Sequence, residues 1–228
     1  MAAPQAASES GSTEGNGPDG SGASSASDEL SKRFSAPVAE KDQASLFMVI
    51  LRDVAIVSAL LSLFAAAETW AQTSGLALAA LLSVVDGFLV GIAAGALLHE
   101  WGHFVGARLG GGRAPLKPLS GFLPLFDFDY KNNDAKAFEW MSIGGNVAHF
   151  SVVLVFFFAL PMSSPGAAAL VAGAFGFAVF SSLVEFPVIR KARGGLSGLE
   201  ALGTIPRDFV SRYFPWAVGA GLVAFAVL

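Results

Sequence analysis

The sequence predicts an all-α, polytopic membrane protein with about five transmembrane helices. Of its 228 residues, 54% are hydrophobic and only 14% are charged, a balance typical of membrane proteins. Most of the apolar residues lie in five long runs, and the basic residues cluster between alternate runs. Because a spanning helix needs roughly 20 apolar residues, runs of this length predict helices that cross a bilayer.

The chain divides near residue 45 into a polar tail and an apolar domain. Residues 1–44 are rich in Ser, Gly, Ala, Glu and Asp, and Phe34 is their one aromatic residue. Such a segment buries too little apolar surface to offset the entropy of ordering, so we expect a disordered N-terminal tail. No apolar stretch typical of a secretory signal follows Met1. We expect residues 45–228 to form one transmembrane domain.

The apolar runs cover about 46–67, 76–108, 139–160, 166–189 and 209–228. The second run is too long for one upright crossing, because 33 helical residues extend roughly 50 Å. Two crossings there would put the basic tail and the other basic loops on opposite sides. We therefore expect one crossing, about 84–108, preceded by an interfacial or tilted stretch.

The basic residues predict the orientation of the chain. All 14 Lys and Arg lie before or at the start of the first run, between the second and third runs, or between the fourth and fifth. With five crossings these segments share one side, which the positive-inside rule assigns to the cytoplasm. We expect a multi-pass protein of the bacterial cytoplasmic membrane with a cytoplasmic N terminus. The bilayer is then a partner, and no nucleic acid is expected.

The stretch "GALLHEWGHFVGARL" places three polar side chains, His99, Glu100 and His103, in an apolar run. Residues four apart share a face of a helix, so the two imidazoles are able to bind one Zn²⁺ at about 2.0–2.1 Å. Glu100 is placed to act as general base on a metal-bound water. Ionisable residues at membrane depth point to function. The chain has only 3 His, too few for a histidine-rich di-iron hydroxylase, and no Cys for thiolate chemistry.

Three segments together resemble the site-2 protease family of intramembrane zinc metalloproteases. They are "HEWGH", then "AKAFEWMSIGGNVAHFSVVLVFFF", then "FSSLVEFPVI". In the second segment Gly144 and Asn146 stand where the family has Gly-Pro-x-x-Asn, with Gly145 in place of the proline and a shorter spacing. The resemblance covers about residues 84–203 and implies a three-helix metalloprotease core flanked by the first and last helices.

The resemblance implies a zinc-dependent endopeptidase that cleaves membrane-spanning protein substrates. Glu100 would activate water, and Asn146 would bind the substrate carbonyl or the oxyanion that develops from it. The chain departs from the family at the third metal ligand, which is an Asp of an Asp-Gly motif. Arg190 stands at that position without gaps, and Ser197 stands there if a gap is allowed.

Glu185 is the leading candidate for the missing ligand. It lies in an apolar run two residues before Pro187, and a proline at membrane depth is able to break a helix that lines a cavity. The predicted metal ligands are therefore His99, His103 and Glu185. An ion pair of Glu185 with the basic residues that follow it is the alternative, and Glu200 and His149 remain open as other third ligands.

A second hypothesis keeps the fold without the activity. A non-catalytic membrane protein of this kind would bind membrane partners, and the missing Asp-Gly motif favours it, whereas the intact HExxH disfavours it. A glutamate close to both imidazoles would favour the enzyme. Arg190 in the site would favour the inactive protein. The sequence leaves the substrate and the oligomeric state open.

Overall fold

The computed structural model describes residues 43–119 and 123–228, and these residues form six helices. The helices are α1 (Leu46–Ser74), α2 (Ala77–Leu109), α3 (Ala135–Ala159), α4 (Pro165–Arg193), α5 (Gly198–Gly203) and α6 (Phe209–Val227). All except α5 are long and apolar enough to cross a membrane. The prediction of an all-α chain with five such helices is confirmed for the described residues. The predicted tail, 1–44, lies almost wholly outside them.

Local sequence signals set the ends of these helices. Gly75 ends α1 in the left-handed region at φ 64°, where a side chain would be strained. The Asp134 carboxylate caps α3 by accepting the N–H three residues on, at 2.7 Å. Ser164 caps α4 in the same way at 3.2 Å, and Pro165 fills its first turn, where no donor is needed. Each such cap contributes about 1 kcal/mol.

Helices α2, α3 and α4 pack against one another and form the centre of the bundle. Helix α1 packs against α2, and α6 packs against α4, so these two helices flank the central three. The first half of α4 is made almost entirely of small residues and is buried. Small residues let membrane helices approach closely, because van der Waals packing replaces the hydrophobic effect there.

A row of glycines on α2 determines which face of that helix meets α4. Gly87, Gly91 and Gly95 recur every four residues. A Cβ on either of the first two would collide with backbone atoms of α4, and one on Gly95 would make a tight contact with the ring of Phe177. Continuing the same spacing leads to His99 and then His103. Residues four apart share a helix face, so the glycine row turns both histidines toward the α4 side of the bundle.

Helix α2 is longer than the single crossing predicted for it. It continues without interruption from Ala77 to Leu109, so the stretch before residue 84 is helical and not a separate interfacial segment. At 33 residues it extends roughly 50 Å, whereas the hydrocarbon core is about 30 Å thick. A helix of this length has to tilt, extend beyond the hydrocarbon core, or do both, and the tilt of its first part stays a prediction.

The helix break predicted at Pro187 is wrong. Helix α4 continues through this residue to Arg193, and the Pro187 ring is exposed on its outer face. A proline inside a helix removes its own N–H donor and its ring crowds the carbonyl four residues back, and membrane helices accommodate both effects through local adjustment. Glu185 is consequently presented by a regular helix.

The loop between α2 and α3 forms a short antiparallel pairing across the end of the bundle that carries the basic residues, here called the basic end. Residues 113–117 pair with residues 125–129, with a bridge between Leu116 and Phe126. Phe126 and Phe128 are buried, whereas Asp127 binds Lys117 at 3.0 Å. The stretch "FDFDYKNND", residues 126–134, alternates apolar and polar residues but does not pair with itself. Its partner instead lies in 113–117, because the phenylalanines need a covered face.

Candidate metal centre

Two imidazoles of α2 meet one carboxylate of α4 inside the bundle. Oε1 of Glu185 lies 2.9 Å from Nε2 of His99 and 3.0 Å from Nε2 of His103. These three side chains form a group that is able to bind a metal ion. The structure therefore brings together the three ligands predicted from the sequence, although Glu185 lies 82 residues after His103 in the chain.

The protonation pattern of His103 favours a cation at this point. Its Nδ1 lies 2.8 Å from the carbonyl oxygen of Met141, and a carbonyl only accepts hydrogen bonds. Nδ1 therefore carries the hydrogen, and the Nε2 of a neutral His103 is a bare acceptor that points at the Glu185 carboxylate. Two acceptors at 3.0 Å repel each other unless a proton or a metal ion lies between them.

The donor set and its spacing fit zinc. Two His nitrogens and a carboxylate form one of the ligand sets of catalytic zinc sites, which leave a fourth position for water. Donor atoms on a tetrahedral ion stand about 3.3 Å apart when the bonds are about 2.0–2.1 Å long. The observed separations of 2.9 and 3.0 Å differ from that value by only a few tenths of an ångström.

The site is accessible to water although it lies within the bundle. The side chain of His103 is 15% exposed and that of Glu185 is 18% exposed. Both line a cavity of about 190 Å³ at the basic end, together with Glu100 and Tyr130. Burial, with the negative charge of Glu100 adding to it, raises the pKa of the Tyr130 phenol above its usual range, so this wall of the cavity stays neutral.

Glu100 lines the same cavity as two of the predicted ligands, His103 and Glu185. Its Oε2 accepts a hydrogen bond from the backbone N–H of Leu125 at 3.2 Å. Leu125 belongs to the paired loop, so the loop both roofs the cavity and positions this carboxylate. That arrangement is compatible with the predicted role of Glu100 as the base next to the metal position.

Asn146 contacts the carboxylate of the site. Its Nδ2 donates to Oε2 of Glu185 at 2.6 Å and to the carbonyl oxygen of Ser142 at 3.0 Å. Its Oδ1 accepts from Ser182 at 3.2 Å. Both amide hydrogens are thus engaged within the protein. The predicted contact of Asn146 with substrate stays a prediction, and the observed contacts make Asn146 a residue that orients Glu185.

The other two candidates for the third ligand occupy different positions. Glu200 is exposed in α5, where Ser197 and Glu200 form a reciprocal capping box, and hydrogen bonds from Ser197 lower the pKa of Glu200. Glu200 is therefore not part of the His–His–Glu cluster.

His149 is fully buried, with its Nδ1 at 3.1 Å from Nδ1 of His99. It therefore contacts the side of His99 that faces away from Glu185. Arg190 is exposed.

Two serines of α4 belong to the site and were not among the predicted residues. The hydroxyl of Ser181 donates to Oε1 of Glu185 at 3.2 Å and lies 3.2 Å from Nε2 of His99. Ser182 joins Asn146 to His149. The four-residue spacing from Ser181 to Glu185 places both on one helix face, and this spacing was the signal available in the sequence.

No protein-family model, curated protein or solved structure matches this chain. The resemblance to site-2 proteases therefore depends on the three sequence segments alone. What the chain does has to be inferred from the geometry and chemistry of the His–His–Glu cluster.

Proposed function

We propose that this chain is a zinc-dependent intramembrane endopeptidase that cleaves membrane-spanning protein substrates. One observation carries the proposal: Oε1 of Glu185 lies within 3.0 Å of Nε2 of both His99 and His103. The Glu100 carboxylate lines the adjoining cavity. A two-histidine site with a carboxylate and a neighbouring base is the arrangement that metal-assisted hydrolysis requires.

The orientation follows from the basic residues. We place the chain in the bacterial cytoplasmic membrane as a multi-pass protein, with its N terminus and its basic end in the cytoplasm. The cavity that contains Glu100 and His103 lies at the basic end, so water and the cut backbone would meet near the cytoplasmic side.

The residues of the chain divide the chemistry between them. A bound zinc ion would lower the pKa of a water molecule toward about 7. Glu100 would take a proton from the attacking water and deliver it to the leaving amine. The Leu125 N–H donates to Oε2 of Glu100 at 3.2 Å and holds this carboxylate in position. Asn146 fixes the Glu185 carboxylate. The substrate helix has to unwind locally, because a helical amide is shielded by its neighbours.

The inactive alternative is less well supported by the site. It was expected to place Arg190 among the ligands, which would supply the positive charge without a metal. Arg190 is exposed, and the described wall of the cavity does not include it. Glu185 contacts both imidazoles, which is the arrangement expected of the enzyme.

The test combines metal content with peptide cleavage by the purified full-length chain. His99→Ala and His103→Ala should lose zinc. Glu100→Gln should keep zinc and lose at least about 100-fold in cleavage of single-span membrane peptides, since glutamine keeps the shape but takes no proton. Glu139→Gln is the matched control, because Glu139 pairs with Arg193 away from the site.

Two outcomes would contradict the proposal. Cleavage by Glu100→Gln at the wild-type rate would remove Glu100 as the base. A zinc-loaded wild-type chain that cleaves none of a panel of peptides with helix-breaking centres would favour the inactive membrane protein that binds partners.

A further inference from the structure

A closed ring of side chains connects two of the candidate ligands through the interior of the bundle. Nδ1 of His99 lies 3.1 Å from Nδ1 of His149, whose Nε2 lies 3.4 Å from the hydroxyl of Ser182. Ser182 donates to Asn146 at 3.2 Å, and Asn146 donates to Glu185 at 2.6 Å. Glu185 returns to His99 at 2.9 Å. His149 is fully buried here and has no part in the proposed hydrolysis.

The direction of each hydrogen bond in this ring follows from the orientation of the Asn146 amide. Both partners of Nδ2, the Ser142 carbonyl and the Glu185 carboxylate, only accept. Oδ1 of Asn146 therefore faces Ser182, whose single O–H donates to it. Ser182 then offers only lone pairs to His149, so Nε2 of His149 carries the hydrogen. A neutral imidazole has one N–H, which leaves Nδ1 of His149 bare.

The bare nitrogen of His149 determines the tautomer of His99. The contact of 3.1 Å between their Nδ1 atoms needs one hydrogen, and His99 has to supply it. A neutral His99 then has a bare Nε2, and this lone pair faces Oε1 of Glu185 at 2.9 Å. His103 presents its bare Nε2 to the same oxygen, as its bond to the Met141 carbonyl requires. Three acceptors therefore converge on one point, which suits a cation.

We propose that His149 is a positioning residue of the metal centre, which holds His99 in the tautomer whose Nε2 is free to bind zinc. The inference rests on the metal site of the proposed function and does not require that the chain cleaves peptides. The two rings also stack, with centroids 5.1 Å apart and planes 19° from parallel, so His149 fixes the orientation of His99 as well. Partners of this kind set ligand tautomer and basicity, and their loss typically lowers metal affinity about 10–100-fold.

The experiment compares two replacements of His149 in the purified full-length chain, with Zn²⁺ and Co²⁺ as the probes. His149→Leu removes the acceptor and should lower zinc affinity about 10–100-fold and alter the visible spectrum of bound Co²⁺. In His149→Asn the side-chain oxygen stands as many bonds from the backbone as Nδ1 does. This variant should keep the wild-type Co²⁺ spectrum and a zinc affinity within about threefold, because it still accepts from His99.

Ser182→Ala provides a second test that leaves His149 in place. It removes the hydroxyl that holds Nε2 of His149, so its zinc affinity should fall between those of the wild type and His149→Leu. Ser151→Ala is the matched control, since the exposed Ser151 hydroxyl only bonds the Val147 carbonyl of its own helix. Helix content by circular dichroism shows which variants are folded.

The outcomes separate this inference from the proposed activity. The positioning role of His149 would be overturned by wild-type zinc affinity and an unchanged Co²⁺ spectrum in a folded His149→Leu variant. It would also be overturned if a folded His149→Asn variant lost as much zinc affinity as His149→Leu. Should the leucine variant fail to fold, equal affinities for Ser182→Ala and Ser151→Ala would overturn it instead. A wild type that binds zinc but cleaves nothing would refute the peptidase alone, and one that binds no zinc would refute both.

Discussion

Replacing Gly145 by alanine should disable the candidate metal centre although no ligand is replaced. Gly145 lies on α3 directly against the ring of His103. A Cβ built on it would stand 2.7 Å from each ring nitrogen and closer still to the carbon between them. Ordinary contact begins at 3.4 Å and the nearest ring atom would stand at 2.4 Å, so the ring has to move by the difference, 3.4 − 2.4, or about 1.0 Å.

That displacement is large on the scale of the contacts of His103. Its Nδ1 bonds the Met141 carbonyl at 2.8 Å and its Nε2 faces Glu185 at 3.0 Å. Lengthening the first contact by about 1.0 Å brings it to about 3.8 Å, beyond the range of a hydrogen bond. A ligand out of position costs more than a lost outer partner, so zinc affinity should fall at least about 100-fold. The overpacking itself costs about 1–3 kcal/mol.

The assay is competition for zinc against a chromophoric chelator, in detergent, with circular dichroism to establish folding. Gly219→Ala is the matched control, because Gly219 lies in the apolar α6 and a Cβ there meets nothing within 4 Å. It should bind zinc as the wild type does. A folded Gly145→Ala variant with zinc affinity within about threefold of the wild type would refute the reasoning, since His103 would then tolerate the displacement.

Two further predictions concern the third ligand and the topology. Glu185→Gln should lower zinc occupancy after dialysis against a weak chelator, because glutamine offers zinc no charged oxygen. Glu200→Gln should change the occupancy little, because Glu200 is exposed in a helix cap. Equal occupancy in the wild type and both variants would contradict the assignment. Reporter fusions at Gly111 and Ser164, in the two loops that precede and follow α3, should report opposite sides of the membrane. The same side at both sites would rule out five crossings.

The capping box of α5 was visible in the sequence but was not used when Glu200 was kept as a candidate metal ligand. Ser197 and Glu200 have the spacing Ser-x-x-Glu, which is typical of a helix start. Their side chains and backbone N–H groups satisfy each other at 2.7–3.3 Å. That spacing was sufficient to remove Glu200 from the candidate ligands, since its carboxylate is committed to the cap.

The sequence alone determined the number of helices long and apolar enough to cross a membrane, the pairing of His99 with His103 on one helix face, and the presence of Glu185 in an apolar run. These features depend on run length and on the 3.6-residue period of one helix, which are local properties of the chain. The period states which residues share a face, but it does not state which helix that face meets. Only the tertiary structure decided that Glu185 meets both imidazoles and that Asn146 orients Glu185.

The same reason explains why the sequence did not predict the contact of His149 with His99 or the part that the two serines of α4 take in the site. Their contacts depend on how far α3 and α4 are rotated about their own axes, and this rotation is set by close packing of small residues between helices. The glycine row of α2 and the glycines of α3 and α4 bring the backbones together, as the collisions expected for any added Cβ indicate. A sequence lists those glycines, but only the packed bundle shows which polar side chains they bring into contact.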